Sequence, residues 1–451
     1  MNIGDIDKNA ALQRLTLFIV FFISLFFLLS LEHTAAPLTK DGVHFQHYTS
    51  DHLMQSLKSS SLREHPFKSL WYLHKLPPLY DGIRALIIGC LQNVPGEAIL
   101  LKLDQSIYAI WAVCYGIMAM LVYQWLSLLT SRRFAFYLSM VWILHPAPIY
   151  YATYTDPTIL VSLGVLWLFY ELWLFYSKSG SVIRLALSAT LLFYLRSSFP
   201  WYFFVLLTVC LMLMKIPRKQ LMKFILISAI LITPYLVKQY HVFKVIDSTN
   251  LGYHRYFLVA GDSHPIAEAR AIGAAIPWRY PKEASLSVGC LNAEPFWREN
   301  FGYHKLANQY ILAHPFESLK NIARTFFVYN WTGYWRPSWN FCGPNHVVLL
   351  LPWQDALKVF LTYPTTFIIL VFAILLWRRG RKEAGLSVFD DRILGLILPW
   401  IYIFLTSTLV NGDGKGATES IRYKFFLEPV YYVFIMAQIY RLLVVGESQT
   451  K

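Results

Sequence analysis

Residues 157–176 read PTILVSLGVLWLFYELWLFY, an unbroken apolar run with one charge, Glu171. A hydrocarbon core about 30 Å thick takes about 20 such residues in an α-helix. Inside it, only helices and closed barrels satisfy every backbone N–H and C=O. The stretch therefore predicts a membrane-crossing helix, and the pattern repeats on either side of it. Further runs lie at 15–31, 105–129, 134–152, 182–195, 200–214, 221–237, 354–377, 391–410 and 425–445, so about ten spans are expected. The first could pass for a signal peptide, but no small-residue cleavage site follows it cleanly. The runs 182–195 and 200–214 are short and read as a tight hairpin broken at Ser197, Ser198 and Pro200.

Composition agrees. The chain has 451 residues, 56% hydrophobic and only 15% charged, against about 25% charged in globular proteins. With 17% aromatic residues, 22 Gly, 22 Pro and 5 Cys, it is neither a soluble domain nor a disordered, collagen-like or disulfide-scaffold chain. The net charge of +14 sits in short clusters between apolar runs. That is the pattern of a polytopic membrane protein and not the basic face of a nucleic-acid binder, so no nucleic-acid partner is expected.

Lys and Arg set sidedness. They are densest at Arg132, Arg133, Lys178, Arg184, Lys215, Arg218, Lys219, Lys223, Arg378, Arg379, Arg381 and Lys382. Both termini are therefore expected in the cytoplasm, with loops 32–104 and 239–353 outside. The expected fold is an all-α polytopic membrane protein in three parts: an N-terminal bundle over 1–238 whose outer loop 32–104 carries the site, a small extracytoplasmic subdomain over 239–353, and C-terminal helices over 354–451. Segment 77–101 (PPLYDGIRALIIGCLQNVPGEAILL) has too short an apolar stretch for a span. It reads as helices on the outer membrane face, with Trp71 and Tyr80 at headgroup depth. Segment 297–328 has helical periodicity at Ile311, Leu312, Phe316, Leu319, Ile322, Ala323 and Phe326. Cys290 and Cys342 fall outside the cytoplasm and either pair or stay free. Cys114 and Cys210 read as small apolar residues within spans.

Charged side chains in or beside spans are costly and point to function. With this topology Asp156, Arg196 and Arg422 reach the same outer rim as Asp41, Asp51 and Lys75, and Lys424 and Glu428 enter the last span. A carboxylate there can take a proton from an acceptor hydroxyl, and cations can hold a phosphate leaving group. A lipid-linked phosphosugar suits such a rim, its tail in hydrocarbon and its phosphate among Lys and Arg. The nucleotide cradles GxxxxGK[ST] and GxGxxG do not occur.

Four stretches carry a family resemblance: HYTSDHLMQSL with Asp51, HKLPPLYDG with Lys75, YTDPTIL with Asp156, and RYKFFLEPVYY with Arg422. In their order, the chain resembles the GT-C membrane glycosyltransferases that use polyprenyl- or dolichyl-phosphate sugars. It is most similar to the branch of protein O-mannosyltransferases and the lipid A aminoarabinose transferase. The resemblance implies a sugar transferred from a lipid-phosphate donor to a glycan, lipid or protein acceptor on the extracytoplasmic face. It implies Asp51 as catalytic carboxylate, with Asp41 (TKDGVHF) as the other choice in the first loop, and Asp156 as a second active-site carboxylate. It also implies donor-phosphate contacts at Lys75, Arg196 and Arg422. Two departures stand out: His52 follows Asp51 where the family often has a second acid, and Leu76 separates Lys75 from Pro77 and Pro78.

Plainer roles exist for the same residues. Asp156 before Pro157 also fits a helix cap, and Lys75 also fits a headgroup anchor. The first-loop histidines (His33, His44, His47, His52, His65, His74) fit no standard zinc spacing, so no metal site or other cofactor is assigned. Trp331, Tyr334, Trp335 and Trp339 suit an interfacial belt or a sugar platform, and Asn330–Thr332 is a formal glycosylation sequon. The competing functions are a transporter or flippase for a lipid-linked glycan and a glycan polymerase or ligase. The bacterial inner membrane is favoured over the endoplasmic reticulum.

Overall fold

A computed structural model of the protein describes residues 15–19, 50–51, 56–143, 155–246, 251–261, 265–286, 293–331, 391–409 and 425–449. Among these the regular structure is helical, with no strand. The spans expected at 354–377 and over most of 15–31 lie outside the described residues, as do Asp41, Cys290, Cys342, Arg422 and Lys424.

Two short helices, α1 (Ser59–Glu64) and α2 (Pro66–Trp71), lead into α3 (Leu79–Cys90). Next come α4 (Gly96–Leu129), α5 (Arg132–Ile143), α6 (Thr158–Tyr176), α7 (Val182–Leu195), α8 (Trp201–Leu213) and α9 (Arg218–Phe243). Helices α10 (Leu251–Ala260), α11 (Ile266–Ala274), α12 (Glu294–Ala313) and α13 (Pro315–Trp331) follow, then α14 (Asp391–Leu409) and α15 (Glu428–Gln449). Among the described residues three helices are long and apolar enough to cross a membrane: residues 98–129 of α4, α6 and α9. Three shorter apolar stretches lie in α7, in α8 and at 394–407 of α14.

The hairpin expected at 182–214 forms where the sequence breaks. Arg196 caps α7 in extended conformation, and Pro200 supplies the fixed backbone that opens α8. Helix α4 differs from expectation. It begins at Gly96, well before the apolar run at 105, because Lys102 and Asp104 end the hydrophobic pattern without ending the helix. Its 34 residues make it about 51 Å long at 1.5 Å per residue, longer than a hydrocarbon core is thick. Its first turns can therefore carry charge beyond the lipid.

The bundle core is aromatic. Trp125 of α4 meets Tyr170 and Trp173 of α6 and Phe434 of α15, with ring centroids 5.2–6.3 Å apart. On the outside the order of burial is reversed from that of a soluble protein. Met222, Leu226, Ile230 and Val237 of α9 and Val205, Val209 and Met212 of α8 are all exposed, as a lipid-facing surface requires.

Contacts between helix ends give the direction of the chain. At one end Trp142 Nε1 of α5 donates to Glu428 Oε2 at the start of α15 (3.3 Å), and Ser162 Oγ donates to the Phe425 carbonyl (2.9 Å). There too Tyr80 of α3 donates to the carbonyl of Thr155, before α6, and Lys238 near the end of α9 reaches Leu73. At the opposite end Arg184 of α7 pairs with Glu171 of α6 at 2.7 Å, and Phe134 of α5 meets Tyr440 of α15. Glu171 is buried beside that arginine and does not run out to water.

Helices α10–α12 form a satellite core of Tyr253, Tyr256, Phe257 and Tyr303. Backbones approach closely there: a Cβ on Gly302 would overlap the Ala269 backbone. The periodic segment 297–328 is two helices rather than one. Pro315 disfavours a helical His314 and opens the next helix. Phe326 of α13 packs on Phe404 of α14 (5.7 Å), whereas Leu312, Phe316 and Leu319 stay exposed.

Candidate active site

Residues 50–51 and 56–59 are held against α3 and α4 by side-chain carboxylates. Asp51 Oδ1 lies 2.5 Å from Arg84 Nη2 and accepts the Ser59 N–H at 2.9 Å, while its Oδ2 accepts the Ser59 hydroxyl at 2.7 Å. The carboxylate thus meets the start of α1 and the middle of α3 together. Arg84 also turns Nη1 to Asp81 Oδ1 (2.7 Å) and to the Leu57 carbonyl (2.5 Å), and Leu57 N–H returns a bond to Asp81 (3.2 Å). One guanidinium therefore bridges two carboxylates. It is wholly buried, and Asp51, at 19% side-chain exposure, is the member open to solvent.

Two more acids border this pair. Asp104, on the early turns of α4, accepts the Ser50 N–H at 3.1 Å and so fixes the residue before Asp51. Asp156, just before the Pro157 N-cap, accepts the N–H and hydroxyl of Thr158, the first residue of α6 (3.1 and 2.9 Å). Tyr80 joins the two sides. It is buried, stacks near Trp111, and bonds the carbonyl adjoining Asp156. Tyr80 is buried within the protein, whereas Trp71 is about half exposed.

Burial raises the phenol of Tyr80 well above its ordinary range; Arg84 opposes this, and Asp81, Asp156 and Asp104 add to it. Burial likewise raises the carboxyl of Asp81 against the pull of Arg84. Burial works to lower Arg84, but Asp81, Tyr80 and Asp51 outweigh it and keep the guanidinium charged.

Lys75 occupies the adjoining segment. It is buried with its ammonium 4.4 Å above the Phe296 ring of α12, five positions before Tyr80. His74, also buried, packs between Phe243 and Tyr280. Arg196 is buried at the end of α7, a helix that packs against α3. The structure thus gathers Asp51 and Asp156 about one arginine–tyrosine pair, sets Lys75 over Phe296 of α12, and keeps Arg196 at the hairpin turn. Among the described residues no group of three or more His, Cys, Asp or Glu could hold a metal ion.

Sequence reasoning missed Asp81, Arg84 and Asp104. A signal was present: Asp81 and Arg84 are three apart in the otherwise apolar LYDGIRALIIGC, the spacing of facing helical neighbours. No known protein family, curated protein or solved structure matches the chain.

Proposed function

We propose that the protein is a membrane glycosyltransferase that moves a sugar from a polyprenyl-phosphate donor to an acceptor on the extracytoplasmic face. One observation carries this: acids from the first outer loop, α3, α4 and the start of α6 converge on Arg84 and Tyr80 at the bundle end that also holds Lys75. The acceptor oxygen attacks the anomeric carbon and the bond from that carbon to the phosphate oxygen breaks. The bonding pair leaves with the lipid phosphate, and the hydroxyl proton passes to a carboxylate. Asp51, the solvent-open acid, takes that proton. Asp156 orients the acceptor, and Lys75, Arg196 and Arg422 receive the charge growing on phosphate. Ten spans, cytoplasmic termini and a bacterial inner-membrane location complete the proposal.

Proline inside two helices, Pro234 in α9 and Pro399 in α14, favours a second role as a carrier of lipid-linked glycans. Detergent separates the two. With no compartments left, a transferase still strips sugar from a polyprenyl-phosphate donor when an acceptor is present, and a carrier leaves the donor intact. An intact donor across hexose, pentose and amino-sugar forms contradicts the transferase.

A further inference from the structure

Lys238 is a lysine near the end of a helix whose other long side chains largely face outward, yet it is itself buried. Its ammonium donates to the Leu73 carbonyl at 2.6 Å and lies 5.3–5.6 Å from the rings of Phe243 and Tyr235. Among the described residues it has no carboxylate within ion-pair distance. Its neighbour Gln239, fully buried, donates to the same carbonyl at 3.3 Å and to the Tyr235 hydroxyl at 2.6 Å. Both lone pairs of a single carbonyl are thus filled from α9.

That carbonyl belongs to a special stretch. Leu73–Leu76 is buried yet not helical, so its shape is set by contacts and not by a helical ladder. It carries His74 and Lys75 and leads into the two prolines before α3. A buried ammonium such as that of Lys238, with a carbonyl and not a carboxylate as its partner, is costly in such a place, and packing alone would be served by leucine.

We propose that Lys238 is a positioning residue: it clamps the Leu73 carbonyl, with Gln239, and so holds Lys75 in place for the donor. The dependence on donor rests on the transferase proposal; the clamp does not. Loss of the clamp loosens residues 73–76 and weakens donor binding, with little effect on the chemical step.

Wild type, Lys238→Met and Lys238→Arg are compared in nanodiscs by hydrogen–deuterium exchange over 72–76 and by donor KM and kcat. In Lys238→Met, exchange at 73–76 should quicken about ten-fold while α1 and α3 keep wild-type rates. Donor KM should rise about ten-fold with kcat held within about two-fold, and Lys238→Arg should recover most of both. Wild-type exchange in Lys238→Met overturns the clamp. Faster exchange with unchanged donor KM overturns the positioning of Lys75. If wild type itself turns over no donor, exchange still decides the clamp, and it is the transferase proposal that fails.

Discussion

Arg84 and Asp51 are 33 positions apart in the chain, and their Nη2 and Oδ1 atoms meet at 2.5 Å. The contact ties the Asp51 turn to α3. Because Arg84 also bonds Asp81 and the Leu57 carbonyl, it closes α1, α3 and the Asp51 turn into one unit.

Removing Arg84 leaves Asp51 and the buried Asp81 facing each other without their shared cation. Stranding a buried charge costs about 3–5 kcal/mol, so Arg84→Met should lower the melting temperature sharply and abolish activity. Arg84→Lys should recover only part of the loss, since an ammonium lacks the planar fork that serves both carboxylates. Equal stability of Arg84→Met and wild type in a thermal melt would show that the bridge does not hold the loop.

Asp81 gives a pH signature. Its folded pKa is raised by burial, above an unfolded value of about 3.9. The folded state therefore holds the proton more tightly. The stability this contributes is complete below pH about 4 and is lost as pH rises through the raised folded value. In melts from pH 4 upward, wild type should lose ground relative to Asp81→Asn. A difference that grows in wild type's favour with rising pH would contradict the assignment.

The opposite end of the bundle offers a test independent of function. Glu171 is buried and its partner Arg184 is half exposed. Arg184→Ala should cost about 3 kcal/mol, the low end for a stranded buried charge. Adding Glu171→Gln should restore part of it. A double variant no more stable than Arg184→Ala would mean the stranded charge is not the source of the loss.

Much of this fold was readable in the amino-acid order, for physical reasons. The boundaries of α6, α7 and α8 follow from where apolar runs meet Pro157, Ser197–Pro200 and Lys215, because a membrane helix advertises itself by hydropathy and by proline. Of the ten expected spans, the described residues include three helices that are long and apolar enough to cross a membrane. The early start of α4 was hidden because Lys102 and Asp104 end hydrophobicity but not hydrogen bonding. In the site, Asp156 and Arg196 were picked out as charges beside spans and Asp51 and Lys75 as first-loop charges in the stretches that carry the resemblance; Lys75, Asp156 and Arg196 are buried, and the Asp51 side chain is 19% exposed. Arg84 was not, since its importance lies in a contact with a loop residue 33 positions away. Lys238 escaped for a related reason: a lysine at the end of a span looks like a headgroup anchor until its carbonyl partner is seen.

The most direct test of the central claim is release of polyprenyl phosphate from a polyprenyl-phosphate sugar by purified wild type and Asp51→Asn, matched for melting temperature. The substitution keeps the hydrogen-bonding shape toward Arg84 and Ser59 but removes the base. Loss of a general base costs about 10²–10⁴-fold, and a fall in kcat of that size with donor binding retained is expected. Asp51→Asn releasing product at the wild-type rate would contradict the account.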